Sequence, residues 1–281
     1  MIVATLNRVT ELERLLASLD RQSYKDFEVI VVDQNPDDRL VPLLRSHDSL
    51  TIRHLRSGRG LSRARNVGLS VAKGDIIGFP DDDCWYPEQL LATVAEWFAS
   101  HPEFGGLFTN LRDAGNESVG PTRPAETSRC TKENLWHCGL SPNAFLRRQV
   151  ADAIGRFNEN IGVGAASRYQ SGEETDYFLR SLALGLEMCY EPSITVHHPS
   201  LHSLERLYRT TYTYALGAGH ILRVHDYPWR YVSKRIIRSF GGAAVNLCKG
   251  NFRVAYAYLL RTAGQLRGYI LGPRDLSRHA E

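Results

Sequence analysis

Three consecutive carboxylates, Asp81, Asp82 and Asp83, stand directly after a short apolar segment. Like charges held this close repel, which raises the pKa of each carboxyl group, and a bound divalent cation removes that penalty. Carboxylate oxygens suit Mg²⁺ or Mn²⁺, and these ions also bridge the phosphates of a nucleotide. A cap on the helix expected to begin at Pro87 would explain one acid but not three. The run therefore predicts a cation site that serves a phosphorylated ligand.

A second acidic cluster, Glu173 and Glu174, follows Gly172 at the start of a predicted helix. The helix dipole favours negative charge at that end, which by itself explains two acids. A carboxylate there can also deprotonate a hydroxyl group when its pKa is suitably raised. The cluster is therefore either an electrostatic feature of the helix or a general base.

Two histidines, His197 and His198, follow a predicted strand. Imidazole nitrogen is a common metal ligand, so one of them is a candidate partner of the acidic run. The alternative is that the pair fills the polar end of a strand. The residue types leave both interpretations open.

Three arginines, Arg59, Arg63 and Arg65, crowd a segment where a helix is predicted to begin. Guanidinium groups and a helix N-terminus both attract phosphate, although an exposed helix face would account for one or two of these cations. Gly58 and Gly60 do not form a dinucleotide fingerprint, because the third glycine is absent. The segment predicts contact with phosphate and argues against NAD binding.

The first 110 residues alternate between apolar runs typical of buried strands and amphipathic stretches typical of helices. Thr10 and Glu13 have the spacing of a capping box, so the first helix is predicted to begin there. The alternation indicates an α/β fold with a doubly wound, mostly parallel sheet flanked by helices, whose ligands bind beyond the carboxyl ends of the strands. Asp33 and Asp81 lie at such ends. The predicted strands are Met1–Thr5, Phe27–Val32, Thr51–Leu55, Ile76–Phe79 and Gly105–Thr109, and the predicted helices are Thr10 to near Asp20, Leu40–Leu44, Leu61–Ala72 and Pro87–Ala99.

The rest of the sequence is less regular. A loop is predicted from Asn110 to near Cys130, and mainly helix is predicted beyond Leu201. We therefore expect one domain of residues 1–200 followed by a helical extension of residues 201–281. Between the loop and the extension the patterns predict helices at Arg147–Ile154 and from Glu173, and strands at Glu187–Glu191 and Ile194–His197.

Charge is divided unevenly along the chain. Residues 1–200 carry 21 Lys and Arg against 27 Asp and Glu, a net charge of −6, whereas residues 201–281 carry 13 against 4, a net charge of +9. Aromatic residues interleave with the cations of the extension, which suits an anionic membrane surface or a nucleic acid, although an ordinary exposed helix face explains the charge equally well. No recognisable nucleic-acid module is present, so peripheral membrane contact is the favoured function and no nucleic acid is expected.

Location follows from what the sequence lacks. No apolar run approaches the roughly 18–20 residues of a membrane span, and the N-terminus has no signal-peptide pattern, which predicts a cytoplasmic protein, at the membrane face if the extension binds lipid. The five cysteines include no C-x-x-C pair, which predicts reduced thiols. The oligomeric state and the presence of residues before Met1 stay open.

Taken together, these motifs resemble the family 2 glycosyltransferases, which have a GT-A fold. Each motif is weak alone, but their order and spacing agree over roughly the first 200 residues. The matching pieces are Val3-Ala4-Thr5-Leu6-Asn7-Arg8, Phe27–Asp33, Gly60–Gly68 with Ala64-Arg65-Asn66, Phe79-Pro80-Asp81-Asp82-Asp83, and Gly172-Glu173-Glu174-Thr175-Asp176.

The resemblance implies an inverting transfer of a sugar from a nucleoside diphosphate sugar, UDP-linked in the first instance, to a hydroxyl of a glycan or lipid-linked acceptor. It assigns the donor to a half of about residues 1–110 and the acceptor to a half of about residues 111–200. It makes Glu174 the base and lets Glu173 orient the acceptor. A Mn²⁺ or Mg²⁺ ion is expected on Asp81, Asp83 and either His197 or His198, and donor contacts are expected from Ala4, Thr5, Asn7, Asp33, Arg65, Asn66, Asp81 and Asp82.

Two other functions remain open on the sequence. A protein that binds a sugar nucleotide without catalysis would keep the same motifs. A metal-dependent nucleotidyltransferase also needs a nucleotide beside paired acids, but it releases pyrophosphate rather than a nucleoside diphosphate.

Overall fold

The computed structural model describes residues 1–199 and 204–272. The chain separates into two compact units. The first contains residues 1–157 and the described part of 177–201, and the second contains residues 158–176 and the described part of 202–281. The domain division at residue 200 stays a prediction.

Three parallel strands form the first sheet of the first unit, in the order β1-β2-β3. The middle strand is buried along its whole length, as an apolar run covered on both faces should be. The register sets Thr5 opposite Asp33 and Asp33 opposite Arg56, so polar side chains stand in a row at the carboxyl edge. The elements are β1 (Ile2–Thr5), α1 (Thr10–Asp20), β2 (Val29–Asp33), α2 (Val41–Ser46), β3 (Ile52–Arg56) and α3 (Leu61–Leu69).

Helix α1 begins at Thr10 as predicted, but the capping box is wrong. The Val9 backbone is already helical, its carbonyl accepts a hydrogen bond from the amide of Glu13 at 2.9 Å, and no side chain caps the helix. Thr10 therefore lies one position too far along the chain to act as the cap. The apolar stripe of α1 is fully buried, as predicted from its spacing. That stripe consists of Leu12, Leu15, Leu16 and Leu19.

A second sheet of five strands has the order β4-β7-β5-β8-β6. Strand β7 is antiparallel to both β4 and β5, β6 is antiparallel to β8, and β5 and β8 are parallel. A single parallel bridge joins Ala4 of β1 to Asp81, just beyond β4. The elements are β4 (Ile76–Gly78), α4 (Leu90–Ser100), β5 (Gly106–Arg112), β6 (Ser128–Arg129), α5 (Leu135–Cys138), β7 (Ala144–Arg147), α6 (Arg148–Ile154), α7 (Glu173–Ala183) and β8 (Met188–His197).

Strand β7 is absent from the sequence prediction, which assigned Arg147 to a helix. Four residues are too few to show a period, and the helix α6 follows without a break. The buried side chain of Asn143 fixes the strand from its start, because its amide donates to the backbone oxygen of Cys138 at 2.9 Å and to that of Thr109. The strand is therefore specified by a long-range contact between Asn143 and Thr109, which local sequence patterns do not show.

Strand β8 joins the two segments that the sequence analysis kept apart. Pairing with β5 shifts between Thr109 and Asn110, so residues 192–194 bulge out of the ladder. The Glu191 carboxylate accepts hydrogen bonds from both the backbone amide and the hydroxyl of Ser193 inside this bulge. The bulge explains why Pro192 is tolerated within a strand.

The second unit is built around three long helices, α8 (Leu204–Val224), α9 (Trp229–Cys248) and α10 (Phe252–Leu271). The backbones of α8 and α10 approach directly, since a Cβ atom added at Gly268 would lie 2.1 Å from the carbonyl oxygen of Leu216. Across residues 1–199 and 204–272, none of the helices combines the length and the apolar character of a membrane span.

Candidate functional site

The carboxylate of Asp33 is fully buried at the end of β2 and makes four polar contacts. Its Oδ1 accepts from the backbone amide of Asn35 at 2.8 Å and from the side-chain amide at 2.7 Å. Its Oδ2 lies 3.0 Å from Nε2 of His54 and 2.9 Å from a guanidinium nitrogen of Arg56. Both oxygens are occupied, so any ligand that bonds to Asp33 must displace one of these groups.

Asn35 links Asp33 to the loop after β1. Its side-chain oxygen accepts from the backbone amide of Asn7 at 2.8 Å. Asn7 has a φ of 60°, a left-handed conformation that asparagine tolerates better than most residues. The exposed Asn7 side chain also accepts from Arg39 at 3.3 Å. This chain of contacts fixes the turn between β1 and α1.

The acidic run surrounds a guanidinium group that the sequence analysis did not single out. One nitrogen of Arg8, Nη1, lies 2.6 Å from Oδ1 of Asp82 and 2.6 Å from Oδ2 of Asp83. Arg14 donates to the backbone oxygen of Asp83 at 2.5 Å. The loop after β1 and the helix α1 thus supply positive charge to the run.

Burial dominates the electrostatics of Asp82. It raises the pKa of Asp82 to about 6, although the charge and the hydrogen bond of Arg8 favour the ionised form, and Asp81 adds to the increase. Burial also opposes the charge of Arg8, but the two carboxylates outweigh it and raise the pKa of that guanidinium. Arg8 therefore stays charged and partly neutralises the run.

His198 completes a set of donor atoms suited to a divalent cation. Its Nε2 lies 3.3 Å from Oδ1 of Asp83 and 3.9 Å from Oδ2 of Asp81. Neighbouring ligands of an octahedral ion with bonds of about 2.1 Å stand roughly 3 Å apart, so the Asp83 and His198 atoms have the spacing of two ligands of one ion, whereas Asp81 lies farther from His198. The thiol of Cys84 also lies within 4.8 Å of the Asp83 and His198 donor atoms, but burial raises its pKa well above the usual value and keeps it a poor ligand. The residues present fit a cation.

His197 is turned toward Trp85 instead. The two rings stack with centroids 5.3 Å apart, and the two backbones exchange a pair of hydrogen bonds of 3.0 and 3.1 Å. The Trp85 ring also contacts the guanidinium of Arg14, which lies 4.4 Å from the ring centroid. The predicted ligand role of His197 has no support in this geometry, and the stack fixes the strand end that carries His198.

Arg65 and Asn66 lie buried in α3, and their side chains face the protein. Arg65 Nη2 is 3.4 Å from Oδ1 of Asp81. The amide group of Asn66 donates to the backbone oxygen of Phe157 at 3.0 Å and accepts from its backbone amide at 2.7 Å. Donor contact by these two residues stays a prediction, and their observed role is to hold neighbouring groups in place.

Glu173 and Glu174 begin α7 in the second unit. Glu173 is buried beside Gly162, whose φ of 104° admits only glycine readily, and a Cβ atom there would lie 2.9 Å from the Glu173 carboxyl carbon. Glu174 is partly exposed. Two positions later, the buried carboxylate of Asp176 lies 2.9 Å from Nε2 of His225. The catalytic roles of the two glutamates stay predictions.

The sequence analysis missed six of the polar partners described above: Arg8, Arg14, Asn35, His54, Arg56 and His225. Arg8 stands inside the first motif, so its charge next to an acidic run was the available signal. Arg14 belongs to a helix whose polar face has no sequence marker for contact with the run. Asn35 and His225 contact their partners through turns that periodicity does not describe.

Comparisons with known proteins identify the family of this chain. The sequence model for glycosyl transferase family 2 matches residues 1–155. An uncharacterized glycosyltransferase of Haemophilus influenzae is 28% identical over 201 residues, which are 69% of this chain and 63% of that protein. The amylovoran biosynthesis glycosyltransferase AmsB of Erwinia amylovora is 33% identical over 215 residues, 70% of this chain and 68% of that protein. This chain spans less than two thirds of the Haemophilus relative.

Two solved structures share the fold at low sequence identity. Staphylococcus aureus TarS 1–349 in complex with UDP-GlcNAc has a TM-score of 0.61 and 17% identity, over 95% of this chain and 89% of that one. The mannosyltransferase PcManGT of Pyrobaculum calidifontis, in complex with GDP-Man and Mn²⁺, has a TM-score of 0.61 and 16% identity, over 94% and 85%. The predicted GT-A fold is confirmed, and the chain belongs to glycosyltransferase family 2.

Proposed function

We propose that this chain is a cation-dependent, inverting glycosyltransferase that moves a sugar from a nucleoside diphosphate sugar, UDP-linked in the first instance, to an acceptor hydroxyl. The observation that carries the proposal is the position of His198, whose Nε2 lies 3.3 Å from Oδ1 of Asp83 and 3.9 Å from Oδ2 of Asp81. Further support comes from the two fold relatives, since one is in complex with UDP-GlcNAc and the other is in complex with GDP-Man and Mn²⁺.

Asp81, Asp83 and His198 would hold the cation. An imidazole ligand suits Mn²⁺ better than Mg²⁺, which prefers oxygen ligands alone. When bound, the cation would neutralise charge on the diphosphate leaving group. Arg8 lies against Asp83 and Arg65 against Asp81, so each of these carboxylates already faces a guanidinium group.

The nucleoside would bind beside Thr5 and Asp33, which stand opposite each other at the carboxyl edge of the first sheet. Because both oxygens of Asp33 are occupied, a base that bonds to it must displace His54 or Arg56 from Oδ2. His54 is the easier group to move, because Asp33 is its one described polar contact, whereas Arg56 also donates to the backbone oxygens of Asn35 and Asp37 and to the carboxylate of Asp38. We therefore expect His54 to move on donor binding.

Glu174 would remove the proton of the acceptor hydroxyl, and Glu173 would orient the acceptor. A general base contributes most when its side chain is held in place. A single displacement by the deprotonated hydroxyl inverts the configuration of the sugar. The acceptor is proposed to be a growing surface polysaccharide, in line with the biosynthetic role named for the Erwinia relative.

A donor screen tests this function. The chain is incubated with UDP-, GDP- and dTDP-sugars in Mn²⁺ or in EDTA, and released nucleoside diphosphate is measured. We expect release from one donor class in Mn²⁺ only, lost in Asp83→Asn. Release of pyrophosphate would instead indicate a nucleotidyltransferase, and binding of donor without release under any condition would contradict the proposal.

Peripheral membrane contact through the C-terminal helices is the second part of the proposal. Helix α10 exposes an apolar stripe over its whole length, at spacings of four and three residues that keep one helical face. Residues 229–271 contain eight Lys and Arg and no Asp or Glu. An apolar stripe among cations fits an anionic lipid surface. The stripe consists of Phe252, Tyr256, Leu259, Ala263, Leu266 and Ile270.

Vesicle flotation tests the membrane contact with the full chain. Wild type is expected to float with vesicles that contain phosphatidylglycerol and not with pure phosphatidylcholine, whereas the double variant Phe252→Ser, Ile270→Ser stays at the bottom. Leu184→Ser is the matched control, because Leu184 is an exposed apolar residue in the first unit. Equal flotation of the double variant and wild type would contradict the proposal, as would no flotation of wild type.

A further inference from the structure

The segment that carries Glu173 and Glu174 forms one compact unit with the C-terminal helices. The described contacts of its last residues are concentrated on α8, the first of those helices. They occupy the stretch of α8 from Tyr214 onwards and the residue that follows its end. The turn before α7 therefore rests on α8.

The turn lies directly against the α8 backbone at Gly217 and against an α8 side chain at Ile221. The hydroxyl of Ser171 donates to the backbone oxygen of Tyr214 at 2.8 Å. A Cβ atom added at Gly217 would lie 2.4 Å from the backbone oxygen of Ser171. One added at Gly172 would lie 2.6 Å from Ile221. Distances under 3 Å leave no room for a side chain at these positions, so the separation between the turn and α8 is fixed to within a fraction of an ångström.

A polar contact fixes the first turn of α7 as well. Nε2 of His225 lies 2.9 Å from Oδ1 of Asp176, whose side chain is fully buried. His225 directly follows α8, and its own amide donates to the backbone oxygen of Ile221 at 3.0 Å. Upstream in the segment, the ring of Tyr169 stacks on that of His220 with centroids 3.8 Å apart. The segment is thus held on both sides of the two glutamates, by α8 and by the residue that follows it.

We propose that α8 is the positioning element for the catalytic base. Gly217 sets the distance between the turn and α8, and His225 sets the direction of the first turn of α7. The inference rests on the assignment of Glu174 as the base in the proposed function. A catalytic group displaced by about 1 Å can lose about 100-fold in rate, so a small change at α8 has a large effect on turnover. Gly217 and His225 are positioning residues, because neither is required to touch substrate.

Gly217→Ala is the sharpest test, and Gly241→Ala is its matched control. Both glycines lie inside helices of the same unit, but a Cβ atom at Gly241 would have nothing within 4 Å. Alanine favours a helix over glycine by about 1 kcal/mol, so neither change should unfold its helix. We expect Gly217→Ala to lower kcat by about 10- to 100-fold with an unchanged donor Kd, and Gly241→Ala to leave both values at those of wild type.

His225 supplies a test by rescue. His225→Ala removes the donor to Asp176 and should lower kcat, whereas His225→Gln keeps an N–H group at a similar distance and should restore most of it. Donor Kd is expected to stay constant across the series. A loss of kcat in His225→Gln equal to that in His225→Ala would overturn the role of the hydrogen bond.

Glu174→Gln separates failure of this inference from failure of the function. If Glu174→Gln keeps wild-type turnover, the base assignment fails and the inference with it. If Glu174→Gln is inactive while Gly217→Ala turns over like wild type, α8 does not position the base and the proposed function stands. A Gly217→Ala variant that loses donor affinity and thermal stability together with kcat would show general damage and would also overturn the inference.

Discussion

Nε2 of His198 lies 3.3 Å from Oδ1 of Asp83, across the gap between the end of β8 and the acidic run after β4. The two residues are 115 positions apart in the sequence, and the antiparallel bridge between Trp85 and His197 brings them together. A carboxylate and an imidazole at this separation suit two corners of the proposed cation site.

Substitutions at His197 and His198 should have different effects on Mn²⁺ affinity. Asn at position 198 removes a ligand atom, so His198→Asn should weaken Mn²⁺ binding by at least about tenfold, since even loss of an outer-shell partner costs about 10- to 100-fold. His197→Asn is the matched control and should keep the Mn²⁺ affinity of wild type, because His197 stacks on Trp85. Titration of free Mn²⁺ by electron paramagnetic resonance measures both, and a greater loss in His197→Asn would reverse the assignment.

Removing Arg8 should strengthen binding of the free cation. Its guanidinium shares the carboxylates of Asp82 and Asp83, so Arg8→Gln removes a competing charge. One charged hydrogen bond contributes about 1.5–3 kcal/mol, which sets a gain of about tenfold in Mn²⁺ affinity as the expected scale. Arg14→Gln is the comparison, because Arg14 contacts only a backbone oxygen of the run and the ring of Trp85. A weaker affinity in Arg8→Gln would mean that Arg8 organises the site rather than competing with the cation.

Stability should fall on the acid side because of His220. Burial lowers the pKa of His220 to about 4, below its usual value of 6.5. Between these values the unfolded chain binds the proton and the folded chain does not, so the free energy of unfolding decreases as the pH falls from 6.5 toward 4. His220→Phe keeps the ring against Tyr169 and should flatten this part of the stability curve. Chemical denaturation at several pH values measures it, and an unchanged slope would contradict the expectation.

The two glutamates should differ in the step that they affect. Glu174→Gln keeps shape and removes the base, so donor affinity should be retained while turnover falls by about 100- to 10,000-fold, the usual contribution of general base catalysis. Glu173→Gln should raise the acceptor KM more than it lowers kcat. Steady-state kinetics with a fixed donor measures both variants. If Glu174→Gln is active and Glu173→Gln is inactive, Glu173 rather than Glu174 is the base.

Strand ends were the most predictable part of the site. Asp33 and Asp81 follow apolar runs, and a run covered on both faces places its last residue at the ligand edge of a sheet whatever the details of packing. The partners of these acids were not predictable, because Arg8 and His198 reach them across loops. Periodicity describes contacts within an element and carries no information on such loops.

Two features of the fold, strand β7 and the N-terminus of α1, were not predictable from local sequence patterns. Strand β7 has four residues and runs straight into α6, so it lacks the length from which a period can be read. Thr10 does not cap the helix because the backbone is already helical at Val9. The dependence of Glu174 on α8 was hidden for a further reason, since Gly217 looks like any helix glycine until the neighbouring turn is placed.

Release of nucleoside diphosphate tests whether the chain carries out cation-dependent glycosyl transfer at Asp83. Wild type and Asp83→Asn are assayed with the preferred sugar nucleotide in Mn²⁺ and in EDTA. We predict release by wild type in Mn²⁺, with loss of at least about 100-fold both in EDTA and in Asp83→Asn. Equal release by wild type in Mn²⁺ and EDTA, or by Asp83→Asn in Mn²⁺, would contradict the claim.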